Sequence, residues 1–218
     1  MKKIIYLLAL PLFFAACGQA PKTAEEAGEV KQATAEAAVF TVDTEGSMLK
    51  WEGAKITETV HNGTVSITEG SLAFAGDQLE AGSFTVDMNT LVVLDLTEET
   101  GKFKLEGHLK SGDFFQVENY PTAKFEVTGA EALSGDPAAT HRISGNLTIK
   151  DVTNGISFPA TVVVSESGVE ANAKFEINRN EWGVLWGGTK TEQGIKDFLQ
   201  NNLIKDMITF EVSLKANK

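Results

Sequence analysis

From Val39 onward the chain alternates between apolar and polar residues. Ala171, Ala173, Phe175 and Ile177 are separated by Asn172, Lys174, Glu176 and Asn178. Phe210, Val212, Leu214 and Ala216 are interleaved with Glu211, Ser213, Lys215 and Asn217. The same period of two runs through Ile143, Gly145, Leu147 and Ile149, and through Phe84, Val86 and Met88. Successive side chains of a strand point to opposite faces, so each run is apolar on one face and wet on the other. Between the runs stand turn signals at 45–47, 61–63, 69–71, 75–78, 134–137, 153–155 and 166–168, rich in Gly, Asn, Asp and Ser. Gly, Asn and Asp supply the positive φ of tight hairpins. Short strands joined in this way imply an antiparallel sandwich or barrel, and residues 39–218 are the size of one domain.

One stretch departs from this pattern. In Thr191–Leu203 the apolar residues Ile195, Phe198, Leu199 and Leu203 fall on one face of a short helix, placed between the last two strands. It reads either as a plug closing one end of a barrel or as a lid over an entrance.

The chain opens with Lys2 and Lys3, then an apolar run from Ile4 to Ala16. That run is too short to span a bilayer, which takes about 20 residues, and reads as a secretory signal. It ends in FAAC, and Cys17 is the chain's one cysteine, so no internal disulfide forms. FAAC resembles a bacterial lipoprotein cleavage box, which makes Cys17 a lipidation site and a membrane anchor; the alternative is an ordinary secretory signal with a spare thiol. The expected organisation is a signal peptide at 1–16, a lipidated Cys and flexible tether at 17–38, and a β-barrel domain at 39–218. The tether is read from the lack of large apolar residues in 18–38. Localisation follows as a membrane-anchored lipoprotein of the cell envelope, on the periplasmic side or the outer-membrane surface.

The formal charge is −11, and loss of Lys2 and Lys3 with the signal takes it to −13. With no basic run, nucleic acid is not an expected partner. His61, His108 and His141 lack metal-site spacing, and neither a Gly-x-Ser-x-Gly elbow nor a glycine-rich phosphate loop occurs. No catalytic residue, metal or cofactor is assigned, and the chain is not expected to be an enzyme.

The segment HLKSGDFFQVENYPTAKF, His108–Phe125, resembles a signature of the YceI-like family, in which His-x-x-Ser-x-Asp-Phe-Phe leads to Tyr-Pro-x-Ala-x-Phe. VDTEGSMLKWEGAK, GSLAF with GSFTVDMNTL, GNLTIKDVTNGISFPATV, FEINRNEWGV and IKDMITFEVSLKAN are similar to other segments of that family, in the same order. The resemblance covers nearly all of 39–218. It implies a lipocalin-like antiparallel eight-stranded β-barrel with an elongated pore that binds a polyisoprenoid or quinone-like lipid.

A barrel of eight strands has room for packed side chains or for one ligand. On the strands, Phe84, Val86, Met88, Phe125, Leu147, Phe175 and Phe210 are the candidates to line such a lumen. In the corner they are His108, Phe114, Phe115 and Tyr120, with Asp113 capping the turn. Toward the C-terminus they are Trp182, Trp186 and Phe198. His108 reads either as a post fixing the loop or as a contact to a ligand head group. The expected function is non-catalytic binding, storage or transport of an isoprenoid-type lipid; the alternative is a structural or protein-interaction barrel with a side-chain-filled lumen.

Overall fold

A computed structural model describes residues 23–135, 137–187 and 203–218. Among them are nine strands: β1 Ala38–Val42, β2 Met48–Ala54, β3 Val60–Ala75, β4 Gln78–Val93, β5 Thr122–Ala132, β6 His141–Ile149, β7 Val152–Val164, β8 Gly168–Asn178 and β9 Met207–Asn217. One α-helix, α1, spans Lys102–Lys110, and a 3-10 turn spans Arg179–Trp182.

All pairings between these strands are antiparallel, and they close on themselves through β3–β4. β1 and β2 share one position in the ring, because both lie between β3 and β9. The result is the expected closed eight-stranded barrel, and an even number of strands lets every neighbour remain antiparallel. β3 carries register shifts at Thr64/Ser66, Ile67/Glu69 and Ala73/Phe74. Bulges of this kind bend a long strand around a barrel.

Three of the expected turns lie inside strands. Residues 61–63 and 69–71 belong to β3, and 153–155 to β7. The β6–β7 hairpin instead turns at Lys150, with φ 58°.

α1 connects β4 to β5, where the sequence pattern showed no helix. Its Lys, Leu and Glu residues favour a helix, and His108 and Lys110 suit the C-terminal dipole. Glu106 Oε1 accepts from the Val93 N–H at 2.8 Å, and Lys110 Nζ donates to Asn89 O at 2.8 Å, which fastens α1 to β4. The helix expected at 191–203 lies outside the described residues but for Leu203, which is buried.

The stretch 23–37, expected to be part of a free tether, is docked on the barrel. β7 pairs with β8 only over Ala160–Val164, and toward its start the two strands separate. Residues 23–25 and the 3-10 turn fill that gap. Glu25 forms a two-bond bridge with Gly155 at 2.8 and 3.0 Å. Glu181 Oε2 accepts from the Thr23 N–H, the Thr23 hydroxyl and the Ala24 N–H at 3.0, 2.8 and 2.8 Å. The strap then crosses the outside of the wall. Gly28 exchanges two hydrogen bonds of 2.8 Å with the Asn146 side chain on β6, and Thr34 donates twice to Glu80 on β4. A Cβ on Gly155 would lie 2.6 Å from Glu26 O, so the crossing needs glycine there. The contacts are polar and backbone-mediated, which is why a stretch poor in large apolar residues still docks.

Candidate functional site: a hollow apolar lumen

The inward phase of the strands encloses a cavity of about 710 Å³. Phe84, Val86, Met88, Phe125, Leu147, Phe175 and Phe210 all line it, as their alternation required. These inward side chains other than Met88 are only half-buried, because the space they face is empty. The described residues therefore leave the lumen hollow and not filled by side chains.

A belt of phenylalanines runs around this wall. Phe84 stacks near Phe125 with ring centroids 6.3 Å apart; Phe125 meets Phe158 at 5.7 Å, Phe158 meets Phe175 at 4.2 Å, and Phe175 meets Phe210 at 5.8 Å. Between β5 and β7 the belt must cross β6. It does so over Gly145, where any Cβ would collide with the Phe125 ring. Phe158 was not among the expected lumen residues, although Ile156, Phe158 and Ala160 carry the same alternation.

One end of the barrel is stopped by buried side chains, including Phe40 packed edge-on against Phe74 at 6.1 Å and the fully buried Val169 and Ala216. Among the described residues, the other end, where β4 finishes and β5 begins, is open. There the lining includes the exposed Thr100 and Lys104, with Leu105 and Leu109 of α1 a turn apart. Several polar lining groups gather at this mouth: Lys55, His61, His108 and Arg179.

His108 is held among aromatic rings. It lies edge-on to Trp186 at 4.4 Å and to Phe114 at 5.0 Å, while its Nε2 is 3.1 Å from Asp113 Oδ2. All three rings line the cavity, as does Phe115. Asp113 thus pairs with His108 and does not cap the turn. The turn is closed by Ser111, whose carbonyl accepts from the Phe114 and Gln116 N–H groups and whose hydroxyl donates to His108 O.

Two expected lumen residues lie elsewhere. Tyr120 sits in the turn before β5, where its N–H donates to Gln116 O, and does not line the cavity. Trp182 is 0% exposed and also off the lumen. Its Nε1 donates to Leu147 O at 2.9 Å, and it packs in one cluster with Ala24. It plugs the wall where β7 and β8 separate. Phe198 lies outside the described residues, as does Cys17.

Arg179 was not foreseen. It is 1% exposed and donates to the carbonyls of Val184, Trp186, Ile204 and Lys205 at 2.6, 2.8, 3.3 and 3.1 Å. Asp206 lies 3.8 Å away. Burial lowers the guanidinium's pKa, and Asp206 opposes that shift. One side chain thereby clamps two segments, 184–187 and 203–206, and holds Trp186 against His108. Trp51 is a second missed lining residue, and its indole N–H is buried without an acceptor.

At the mouth, His61 Nδ1 lies 2.8 Å from Asp95 Oδ2, and Asp95 Oδ1 accepts from the Asn62 N–H at 2.9 Å. Burial acts to raise the Asp95 carboxyl. The Asn62 N–H and the hydrogen bond and charge of His61 outweigh it and hold the group below its usual range. A carboxylate with a depressed folded value stabilises the fold above its unfolded pKa of about 3.9, and that stability is lost as pH falls through the folded value. Asp95→Asn is therefore expected to lower the urea midpoint at neutral pH and to converge on the parent in strong acid.

A model of the YceI-like domain matches residues 40–216. The chain belongs to the YceI-like family. The resemblance carried by the His108–Phe125 segment and its companions is thereby confirmed. A UPF0312 protein of Pseudomonas putida is 28% identical over 164 residues, covering 72% of this chain and 81% of that protein. One from Pseudomonas aeruginosa is 36% identical over 95 residues, covering 44% of this chain and 45% of that protein. Among solved structures, BcnA of Burkholderia cenocepacia superposes with a TM-score of 0.62 at 18% identity, across 81% of this chain and 99% of its own. A polyisoprenoid binding domain from Saccharophagus degradans superposes at 0.58 and 18%, across 82% of this chain and 97% of its own. Likeness at this identity establishes the shared YceI-like barrel.

Proposed function

We propose that this YceI-like protein binds a long-tailed isoprenoid-type lipid in the bacterial cell envelope, and carries it without transforming it. The observation that carries this reading is the hollow lumen: about 710 Å³, lined almost wholly by apolar side chains and, among the described residues, open at one end. That volume is within the range of small-molecule sites, about 300–1,000 Å³. Each buried methylene contributes about 0.8 kcal/mol, so roughly ten of them offset association costs of several kcal/mol. A prenyl tail needs no further chemistry to be held. The tail enters first, and the head group stays nearer the mouth, where the polar lining groups gather. Arg179 spends its donors on the carbonyls of Val184, Trp186, Ile204 and Lys205, and so holds the wall at the mouth. The description of the Saccharophagus degradans neighbour as a polyisoprenoid binding domain supports the same ligand class.

A series of quinones with lengthening isoprenoid tails tests this reading through quenching of tryptophan fluorescence. Affinity should rise with each added unit until the lumen is full. Equal affinity for a tailless head group would contradict it.

The envelope location follows from the signal-like start and Cys17. Among the described residues no helix is long and apolar enough to cross a membrane. Cys17→Ser should therefore move the protein from the membrane fraction to the soluble one, since stable anchoring of such a chain rests on its lipids. Unchanged retention after normal cleavage would contradict the anchor.

A further inference from the structure

The strap and the mouth lie at the same end of the barrel. Thr23 is tied to Glu181, directly after the open-end terminus of β8, and Glu25 bridges to Gly155 near the start of β7. From there the strap runs over the wall to Glu80, beside the stopped end, where the chain turns into β1. Thr23, the first described residue, therefore sits beside the mouth. Cys17 is six residues upstream, a reach of about 20 Å when fully extended.

Exposed apolar side chains gather at that same end. Ile56, Val60, Leu94, Phe103 and Leu185 are five of the eight large hydrophobic residues most exposed among those described. They come from the β2–β3 loop, the start of β3, the end of β4, α1 and the stretch after the 3-10 turn, all at the open end, while Val39, Met48 and Val163 lie elsewhere. Phe103 is 59% exposed and Leu94 57%. Exposed apolar surface gathered at one end of a molecule and rimmed by polar residues is the kind that marks a membrane or partner contact. Both signs of charge stand at this end, Lys102, Lys104 and Lys205 as well as Glu58, Asp95, Glu98 and Glu99, so no single sign selects a charged partner.

We propose that the open end of the barrel rests on the bilayer surface, so that the lumen opens directly onto lipid. The Cys17 lipid supplies the attachment, the docked strap turns the mouth toward it, and the apolar rim makes the contact. This inference rests on the anchored-carrier reading above. It adds the orientation, and with it a route by which an insoluble tail passes from bilayer to lumen without crossing water.

The test uses the full-length lipidated protein in phosphatidylethanolamine–phosphatidylglycerol vesicles containing nitroxide-tailed lipid. With Cys17 acylated, a thiol introduced by Leu94→Cys, Phe103→Cys or Asp77→Cys is the one labelled by an environment-sensitive fluorophore. Asp77 lies in the exposed β3–β4 turn at the stopped end. Labels at Leu94 and Phe103 should be quenched and blue-shifted, and the label at Asp77 should not. Adding Glu181→Ala, which removes the acceptor of three strap hydrogen bonds, should shrink that difference while the protein stays with the vesicles. Equal quenching at the two ends, or stronger quenching at Asp77, overturns the orientation and leaves the anchor standing. Failure of the lipidated chain to float with vesicles overturns the anchor and the orientation together. Labels at the rim that are shielded by a second copy of the chain, seen as a dimer by cross-linking and without quenching, also overturn it.

Discussion

Arg179→Met should lower the unfolding free energy by about 3–5 kcal/mol, because it leaves several buried carbonyls without a donor. The methionine fills much of the same space but donates nothing. Four carbonyls, of Val184, Trp186, Ile204 and Lys205, then lose their donor, and each buried group left unsatisfied costs about 1–3 kcal/mol unless water reaches it. The segments 184–187 and 203–206 are both released, so Trp186 should also lose its fixed place against His108. Urea unfolding followed by tryptophan fluorescence reads both effects. Arg179→Lys should recover part of the stability, because an ammonium keeps the charge but cannot spread its donors over four acceptors. A variant as stable as the parent would show that the clamp is ornamental to the fold.

Val86→Trp should leave the apo barrel folded and abolish or shorten the bound tail. Val86 stands mid-wall on β4, paired with Ile67 and Ala123, and faces the cavity. In a filled core, added volume is destabilising by about 1–3 kcal/mol. In this lumen the new ring has empty space to enter, and the cost falls on the ligand. Thr85→Trp, one residue along and on the outer phase, should do neither. The pair separates an effect of lumen volume from an effect of introducing tryptophan. Lipid binding retained in full by Val86→Trp would place the ligand outside the barrel.

Features governed by local alternation were legible in the sequence. Phe84, Val86, Phe175 and Phe210 face inward because a period of two leaves them no other side once the polar residues between them face water. The barrel as opposed to a sandwich came from the YceI-like resemblance, since closure depends on a β3–β4 register that periodicity does not encode. Glycines misled because a strand glycine and a turn glycine look alike in sequence. Gly155 is small for the sake of a strap more than a hundred residues away, and Gly145 for the sake of Phe125 on the neighbouring strand. α1 went unseen because Leu105 and Leu109 are its two lumen-facing apolar residues, while Phe103 points away to solvent. Arg179 follows Ile177 on the apolar phase of the β8 pattern, a charged residue where a buried one was due, and two later segments that fold back over it supply its partners. Trp182 reads as a lumen residue beside Trp186, yet a wall that opens between β7 and β8 takes it as filling.

Native mass spectrometry of the full-length protein, isolated from its own cells in mild detergent, tests the central claim most directly. The account predicts a folded chain carrying one hydrophobic molecule of defined mass, released by organic solvent and absent or shorter in Val86→Trp. A bare chain that also fails to take up an added isoprenoid quinone would contradict it.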